Sequence, residues 1–146
     1  MAWVVGNISP IHCAHCGMPA NGVKKIGRKL LEIALQPDAL ALQRLFISAA
    51  PRFPDLTKLF IARNRHRSIG EIERVLTHYA RKGEIELPSS QLMAEQFFIS
   101  VVGIPQRLAL VGHRETPRTQ ERRLRAAVRL FLDGCRTQRN RSKAMR

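Results

Sequence analysis

A short segment near the N-terminus holds the only local cluster of metal-ligating residue types in the sequence. It is His12-Cys13-Ala14-His15-Cys16, with two residues between the cysteines. A structural zinc site needs four ligands in a tetrahedral arrangement, and one Cys-x-x-Cys turn supplies half of them. No second pair follows, and the remaining candidates are scattered singly at His66, His78, His113 and Cys135. We therefore expect an unstructured leader without a metal; a strained zinc switch using both local histidines, or a redox site, are the alternatives.

Sequence motifs of catalytic sites are missing. There is no glycine-rich phosphate loop between a strand and a helix, no His-Glu-x-x-His and no Gly-x-Ser-x-Gly. Acidic residues number only 11 of 146 and fall mostly at helix starts or in surface pairs. We therefore expect neither an enzyme nor a cofactor.

The net charge of +14 indicates attraction to polyanions. Most basic residues alternate with apolar ones at helical spacing, as on solvated helix faces. The dense exception is the last eleven residues, RTQRNRSKAMR. If this tail is more than a solvated end, we expect weak, salt-sensitive and sequence-indifferent DNA contacts from Arg136, Arg139, Arg141 and Lys143.

Length and composition indicate one globular domain. A chain of 146 residues with 45% hydrophobic and 25% charged residues resembles average soluble proteins. No uncharged apolar run is long enough to span a membrane, and the N-terminus has no basic region ahead of its apolar patch. Three cysteines form an odd, sparse set that suits a reducing compartment. These features predict a cytoplasmic protein.

Hydrophobic periodicity predicts an all-α fold of about five helices. Apolar residues recur every three or four positions, and prolines, glycines and a threonine cap separate the segments. Gly70 and Pro105 lie inside two of these segments and predict kinks. Strand patterns are essentially missing. The predicted helices span residues 23–36, 37–50, 54–82, 90–111 and 117–135.

Two segments resemble a known family. LALQRLFISAAPRFPDLTKLF (40–60) and RKGEIELPSSQLMAEQFFISVVGIPQRLAL (81–110) resemble the middle and a later helix of the C-terminal domain of TetR-type transcriptional regulators of the AefR-like type. The resemblance extends over about Val23 to Thr137. It implies an all-α domain that binds a small effector and dimerises, with its last two long helices forming a four-helix bundle with those of a second copy.

The resemblance also divides the chain. It implies a leader over residues 1–22, an effector-binding and dimerisation domain over 23–136, and a basic disordered tail over 137–146. Twenty-two residues are too few for the family's helix-turn-helix head, so we expect a regulator without its DNA-reading part. A misplaced start codon, a natural truncation and a headless partner of full-length subunits are competing explanations. The alternative function is a small basic nucleic-acid-binding protein without sequence-specific readout.

Aromatic and sulfur-containing side chains on the second, third and fourth helices either fill the core or line a cavity. The resemblance favours a cavity for an apolar or amphipathic effector between these helices. Arg63 and His66 follow Phe60 by three and six residues and would present polar groups at its mouth. The predicted ligand-binding residues are Phe46, Phe60, Arg63, His66, Met93 and Phe97.

The fourth and fifth helices carry more apolar surface than a five-helix monomer easily covers. Exposed apolar patches of that size normally mark an interface. The family's dimer bundle uses the corresponding helices, which implies a homodimer. The residues that match the interface by position are Phe98, Val102, Leu124, Val128, Phe131 and Leu132.

Overall fold

Five α-helices form the described part of the chain. The computed structural model describes residues 19–135, apart from the side chains of residues 19 and 64–66. No strand element occurs in this range, which confirms the all-α prediction, and none of its helices is long and apolar enough to cross a bilayer. The helices are α1 (Pro19–Ala34), α2 (Pro37–Ala49), α3 (Pro54–Arg81), α4 (Ser90–Leu110) and α5 (Pro117–Cys135).

The helices begin where the sequence supplies capping chemistry. Pro37, Pro54 and Pro117 occupy first helical positions, where the missing N–H would have no partner within the helix. Ser89 Oγ accepts a hydrogen bond from Leu92 N at 3.4 Å, and Thr116 Oγ1 accepts one from Thr119 N at 3.2 Å. These caps satisfy donors that helix geometry leaves without partners.

Glycines with positive φ end the two longest helices. Gly83 has φ +70° and follows α3, and Gly112 has φ +89° and follows α4. Glu84 N donates to Tyr79 O at 3.1 Å, and His113 N donates to Leu108 O at 2.9 Å. A left-handed residue lets the chain turn back on the helix end in this way, and glycine adopts it without steric strain.

One sequence expectation differs from the structure. α1 begins at Pro19, ahead of the predicted leader boundary at residue 22. Gly22 is buried there, and a Cβ built on it would lie 2.8 Å from Cζ of Tyr79. Gly22 therefore allows α1 to pack closely against α3 inside the predicted leader. The helices α3 and α4 are continuous through Gly70 and Pro105, and the kinks expected at these residues stay predictions.

The core lies between α1, α4, α5 and the second half of α3. Helix α1 contributes a row of apolar side chains at helical spacing to this core. Phe97 and Val102 of α4 are completely buried in it. The C-terminal end of α5 is tied to the α3–α4 loop, where Glu86 N donates to Cys135 O at 2.8 Å. The most deeply buried large side chains are Val23, Ile26, Leu40, Ile72, Leu76, Tyr79, Phe97 and Val102.

Gly27 is the point of closest approach between α1 and the α4–α5 pair. A Cβ at this position would lie 2.8 Å from Cδ1 of Leu124 and 3.3 Å from Cζ of Phe97. Both neighbours are buried, so neither has free space to move into. The absence of a side chain on Gly27 thus sets the spacing of the core helices.

The α2–α3 hairpin, defined as α2 with residues 54–68 of α3, stands off this core. Helix α2 buries only Ala39 and Leu40, next to its junction with α1. Residues 54–68 contribute no buried side chain among those described. Several large apolar side chains of the hairpin are more than half exposed: Leu45, Ile47, Phe53, Leu56, Leu59 and Ile61.

Glu121 of α5 joins α1 and α5 on their outer side. Its carboxylate accepts from Lys24 Nζ at 2.7 Å, Arg28 Nη2 at 2.7 Å and Arg125 Nε at 2.8 Å. The hydrogen bonds from Lys24 and Arg125, together with the charge of Arg28, lower the pKa of Glu121 from 4.5 to about 2. The carboxylate is therefore ionised at any pH near neutrality.

Alanine substitution at two glycines tests the packing of α1. Gly27→Ala should lower the free energy of unfolding by about 1–3 kcal/mol, because its Cβ overlaps buried neighbours. Gly70→Ala is the matched control: nothing lies within 4 Å of its Cβ, so removing a helical glycine should stabilise the fold by about 0.5–1 kcal/mol. Urea unfolding followed by circular dichroism measures both. Equal stabilisation by the two substitutions would contradict the close approach at Gly27.

The Glu121 network predicts an acid-dependent loss of stability. Because the folded-state pKa lies below the ordinary 4.5, the contribution is complete above pH 4.5 and is lost as pH falls towards 2. Glu121→Gln should therefore lower the thermal midpoint by a few degrees at pH 7 and change it little near pH 2. Thermal melts of both proteins across this pH range provide the measurement. A constant difference at every pH would mean that the carboxylate charge contributes nothing.

Candidate ligand-binding site

An apolar cavity of about 650 Å³ lies between the α2–α3 hairpin and the core. It forms because no described side chain of the hairpin is buried between Leu40 and Ile69, while α1 and α4 close the other side. Arg44 ties this part of α2 to the end of α4 by donating to Leu110 O at 2.8 Å and to Ala109 O at 2.9 Å. Its apolar wall consists of Leu30, Ile33, Ala34, Ala39, Leu42, Phe46, Ile47, Ala50, Phe60, Ile61, Ile69, Phe98 and Ile99.

Two predicted ligand-binding residues stack on each other in this wall. The ring centroids of Phe46 and Phe60 are 3.8 Å apart, and the ring planes are inclined by 26°. Both side chains are only half-buried, so the stack faces the cavity while it joins α2 to α3. Aromatic stacking of this kind holds the two helices together beyond the burial of area alone.

A few polar side chains interrupt the apolar wall. Gln43 of α2, Ser68 of α3 and Gln106 of α4 line the cavity on three sides. Glu95 also lines it and accepts a hydrogen bond from Gln91 Nε2 at 3.3 Å. Largely apolar pockets with a few convergent polar groups are typical sites for small organic molecules.

Three further predicted ligand-binding residues lie elsewhere. Phe97 is fully buried on the opposite side of α4, with its ring edge-on to Phe131 at a centroid distance of 5.0 Å. Met93 packs against the core, and Arg63 is exposed and does not line the cavity. Phe97, Met93 and Arg63 are therefore not part of the cavity wall. The side chain of His66 lies outside the described residues.

Cavity residues that were not predicted for the site lie on all four of its helices. Phe98, which was assigned to the dimer interface, lines the cavity with its neighbour Ile99. Leu30 and Ile33 of α1 also contribute to the cavity wall. The available signal was the pair of adjacent apolar residues at Phe98-Ile99, because one of two neighbours on a helix must leave the main stripe.

Most of the residues predicted for the dimer interface are covered by their own chain. Val102, Leu124, Val128 and Leu132 are buried in the core, so they leave little surface for a second copy. Phe131 is half-buried beside Phe97. The outward sides of α4 and α5 instead form a shallow groove of about 430 Å³. The groove is lined by Ser100, Ile104, Pro105, Arg123, Ala126, Ala127, Leu130 and Phe131.

A second, more polar cavity of about 420 Å³ lies between α1 and the α4–α5 connection. Several of its charged groups form ion pairs: Glu121 binds Arg28, and Glu115 Oε1 accepts from Arg123 Nε at 2.7 Å. Arg114 Nη2 donates to Leu35 O at 3.5 Å. These pairs join the helix ends, which is a structural role.

The described residues 19–135 contain neither a metal-binding cluster nor a reactive thiol. No three His, Cys, Asp or Glu side chains there are arranged to hold a metal ion. The His12 to Cys16 cluster and the basic tail lie outside the described residues. Burial raises the pKa of the Cys135 thiol, which keeps it protonated and unreactive.

Comparison with protein families agrees with this architecture. The family model of the AefR-like transcriptional repressor C-terminal domain matches residues 21–134. The chain belongs to the TetR family of transcriptional regulators. The match begins inside α1 and ends at the end of α5, so it covers the whole described fold. The sequence resemblance is thereby confirmed, and membership of a family of regulators supports the prediction of a non-enzyme.

Two crystal structures of TetR-family regulators have the same fold. The chain matches a regulator from Mesorhizobium loti with a TM-score of 0.77 and one from Agrobacterium tumefaciens with a TM-score of 0.73, both at 22% identity. The matches cover 85% and 88% of this chain, and it spans 62% of the length of either regulator. No curated protein sequence matches it.

Proposed function

We propose that this TetR-family domain binds a small apolar or amphipathic effector and dimerises. The observation that carries the effector proposal is the cavity of about 650 Å³ with the Phe46–Phe60 stack in its wall. Pockets of about 300–1,000 Å³ accommodate drug-sized molecules. The extensive apolar wall favours a hydrocarbon or aromatic body, while Gln43 and Gln106 offer amide groups that orient a polar end.

The hairpin is the part of the cavity wall through which ligand binding would act on regulation. A ligand shifts a conformational equilibrium only when it binds one state more tightly than the other. The core wall is fixed by buried packing, but the hairpin wall is not, so an effector would select hairpin positions that close on it. We propose that a helix-turn-helix head senses this change in a full-length, cytoplasmic regulator, as the family resemblance implies.

Filling the cavity tests the effector site. Ala50→Phe places a ring in the cavity wall and should weaken binding of the neutral apolar dye N-phenylnaphthylamine about tenfold, equivalent to ~1.4 kcal/mol. Ala62→Phe is the matched control, because Ala62 is exposed on α3 and does not line the cavity. Fluorescence titration, with 1-decanol as competitor, measures the affinity.

Three results would contradict the effector site. They are absence of saturable dye binding, failure of 1-decanol to displace the dye, or equal weakening by the two substitutions. Thermal melts of each variant check that the fold is retained. If Ala50→Phe loses binding because it no longer folds, the smaller substitution Ala50→Leu is used in its place. The Ala50→Leu variant should give an intermediate affinity.

The groove between α4 and α5 supports the dimer proposal. Ile104 and Leu130 expose 48% and 76% of their surface there, beside the small side chains Ala126 and Ala127. Large residues next to small ones let two copies of a helix pair interlock around a two-fold axis. Obligate interfaces of this kind bury about 2,000 Å² or more.

A charge in the groove tests the dimer. Leu130→Asp should turn a dimer of twice 16.6 kDa into a monomer, because the carboxylate would be buried without a partner. Leu59→Asp is the control, since Leu59 is 71% exposed on the hairpin, away from the groove. Light scattering at micromolar concentration measures the mass. A monomeric wild-type chain, or dissociation by both substitutions, would contradict the proposed interface.

A further inference from the structure

Helix α5 presents three different faces. At 100° per residue, Leu124 and Val128 point into the core, and Leu130 lies roughly opposite on the groove side. The third face carries a row of arginines at steps of four, three and four residues. Its members are Arg118, Arg122, Arg125 and Arg129, and all four are exposed.

Helix α1 continues this basic surface. Glu121 connects the two helices through Lys24 and Arg28, so the exposed side of α1 lies next to the arginine row. Lys25 and Arg28 are exposed on that side, and Arg28 keeps 51% of its side chain accessible despite its ion pair. We call the six exposed residues the α1–α5 basic face: Lys25, Arg28, Arg118, Arg122, Arg125 and Arg129.

Basic residues strongly outnumber acidic residues on these two helices. Together α1 and α5 contain nine basic and three acidic residues, a net charge of +6. One of the acids, Glu121, already serves three cations, and another, Asp133, lies 3.7 Å from Arg129. Ionic pairing within the two helices therefore leaves most of the positive charge directed to solvent.

We propose that the α1–α5 basic face binds the phosphate backbone of duplex DNA. Four arginines from Arg118 to Arg129 span about 16 Å of helix, and duplex DNA carries a negative charge every ~1.7 Å of its axis. The planar guanidinium group binds phosphate oxygens in pairs, so an arginine row suits this partner better than a lysine row would. The contacts position the protein without reading bases.

Other anionic partners match the face less well. Single-stranded nucleic acid is usually held by aromatic side chains that stack on bases. Helix α1 has no aromatic residue, and Phe131 of α5 packs against Phe97. A membrane surface favours helices with large apolar side chains beside the charges. Leu130, the exposed large apolar residue of α5, lies on the groove side instead.

The basic face is separate from the other two surfaces of the domain. The α4–α5 groove is lined from the opposite side of α5, and the effector cavity is lined by α1 to α4 without α5. A second copy in the groove or a ligand in the cavity would therefore leave the arginine row accessible. DNA contact by this face does not depend on the proposed dimer or effector.

Fluorescence anisotropy with a labelled 20-base-pair duplex of mixed sequence tests the proposal. The full chain carrying Arg118→Gln, Arg122→Gln and Arg129→Gln is compared with the wild type between 50 and 200 mM salt. Each lost phosphate contact should reduce the steepness of log affinity plotted against log salt concentration by about 0.9, so three lost contacts should reduce it by about 2.7. Binding at 50 mM salt should also be at least tenfold weaker. The matched control replaces three exposed arginines elsewhere, Arg52, Arg67 and Arg81, with glutamine.

The expected result is a selective loss in the face variant, with the control and a chain ending at residue 135 each keeping most of the wild-type slope. Equal losses in the face and control variants would overturn the proposal, because only net charge would then matter. Loss of binding on deletion of 136–146 would assign the contact to the tail. Tighter binding to single strands, duplex RNA or phosphatidylserine vesicles would also overturn it. Unchanged thermal melts establish that all variants are folded.

Discussion

The arrangement of this domain depends on how closely α1 packs against α4 and α5 at Gly27. Without a side chain there, Leu124 and Phe97 reach the α1 backbone, and the three helices form a dense core with the second half of α3. Helix α2 departs from the end of α1 and buries only Ala39 and Leu40, although most of its residues are apolar. The Phe46–Phe60 stack holds the hairpin together, and Arg44 of α2 donates to Leu110 O at 2.8 Å and to Ala109 O at 2.9 Å at the end of α4. The space between the hairpin and the core is the cavity.

Helix α5 shows how one short segment serves several purposes. Its apolar stripe completes the core, its small residues with Leu130 shape the groove, and its arginines lie beside α1. Glu121 makes the last arrangement tolerable, because one carboxylate offsets repulsion among Lys24, Arg28 and Arg125. The partners proposed for the three surfaces differ in chemistry: an apolar molecule for the cavity, a second copy for the groove and a polyanion for the basic face.

The sequence predicted the helices better than it predicted their partners. Proline at first helical positions, the Thr116 cap and Gly83 define boundaries through local geometry, and the structure places α2 to α5 within one residue of the predicted ends. Gly22 fell in the predicted leader, because local sequence pattern does not show that this glycine packs against the distant Tyr79 ring. Periodicity also indicated that Phe97 and Val102 are buried, but it could not say which neighbour buries them. Phe97 therefore proved to be core instead of cavity, and Val102 core instead of interface.

The central claim is that a fixed core and a compliant hairpin enclose a ligand site. Amide hydrogen exchange, measured with and without saturating N-phenylnaphthylamine, addresses it most directly because it resolves the response along the chain. The account predicts that the dye slows exchange in α2 and in the first half of α3, and leaves α5 unchanged. Protection concentrated in α5, or spread evenly over all five helices, would contradict it.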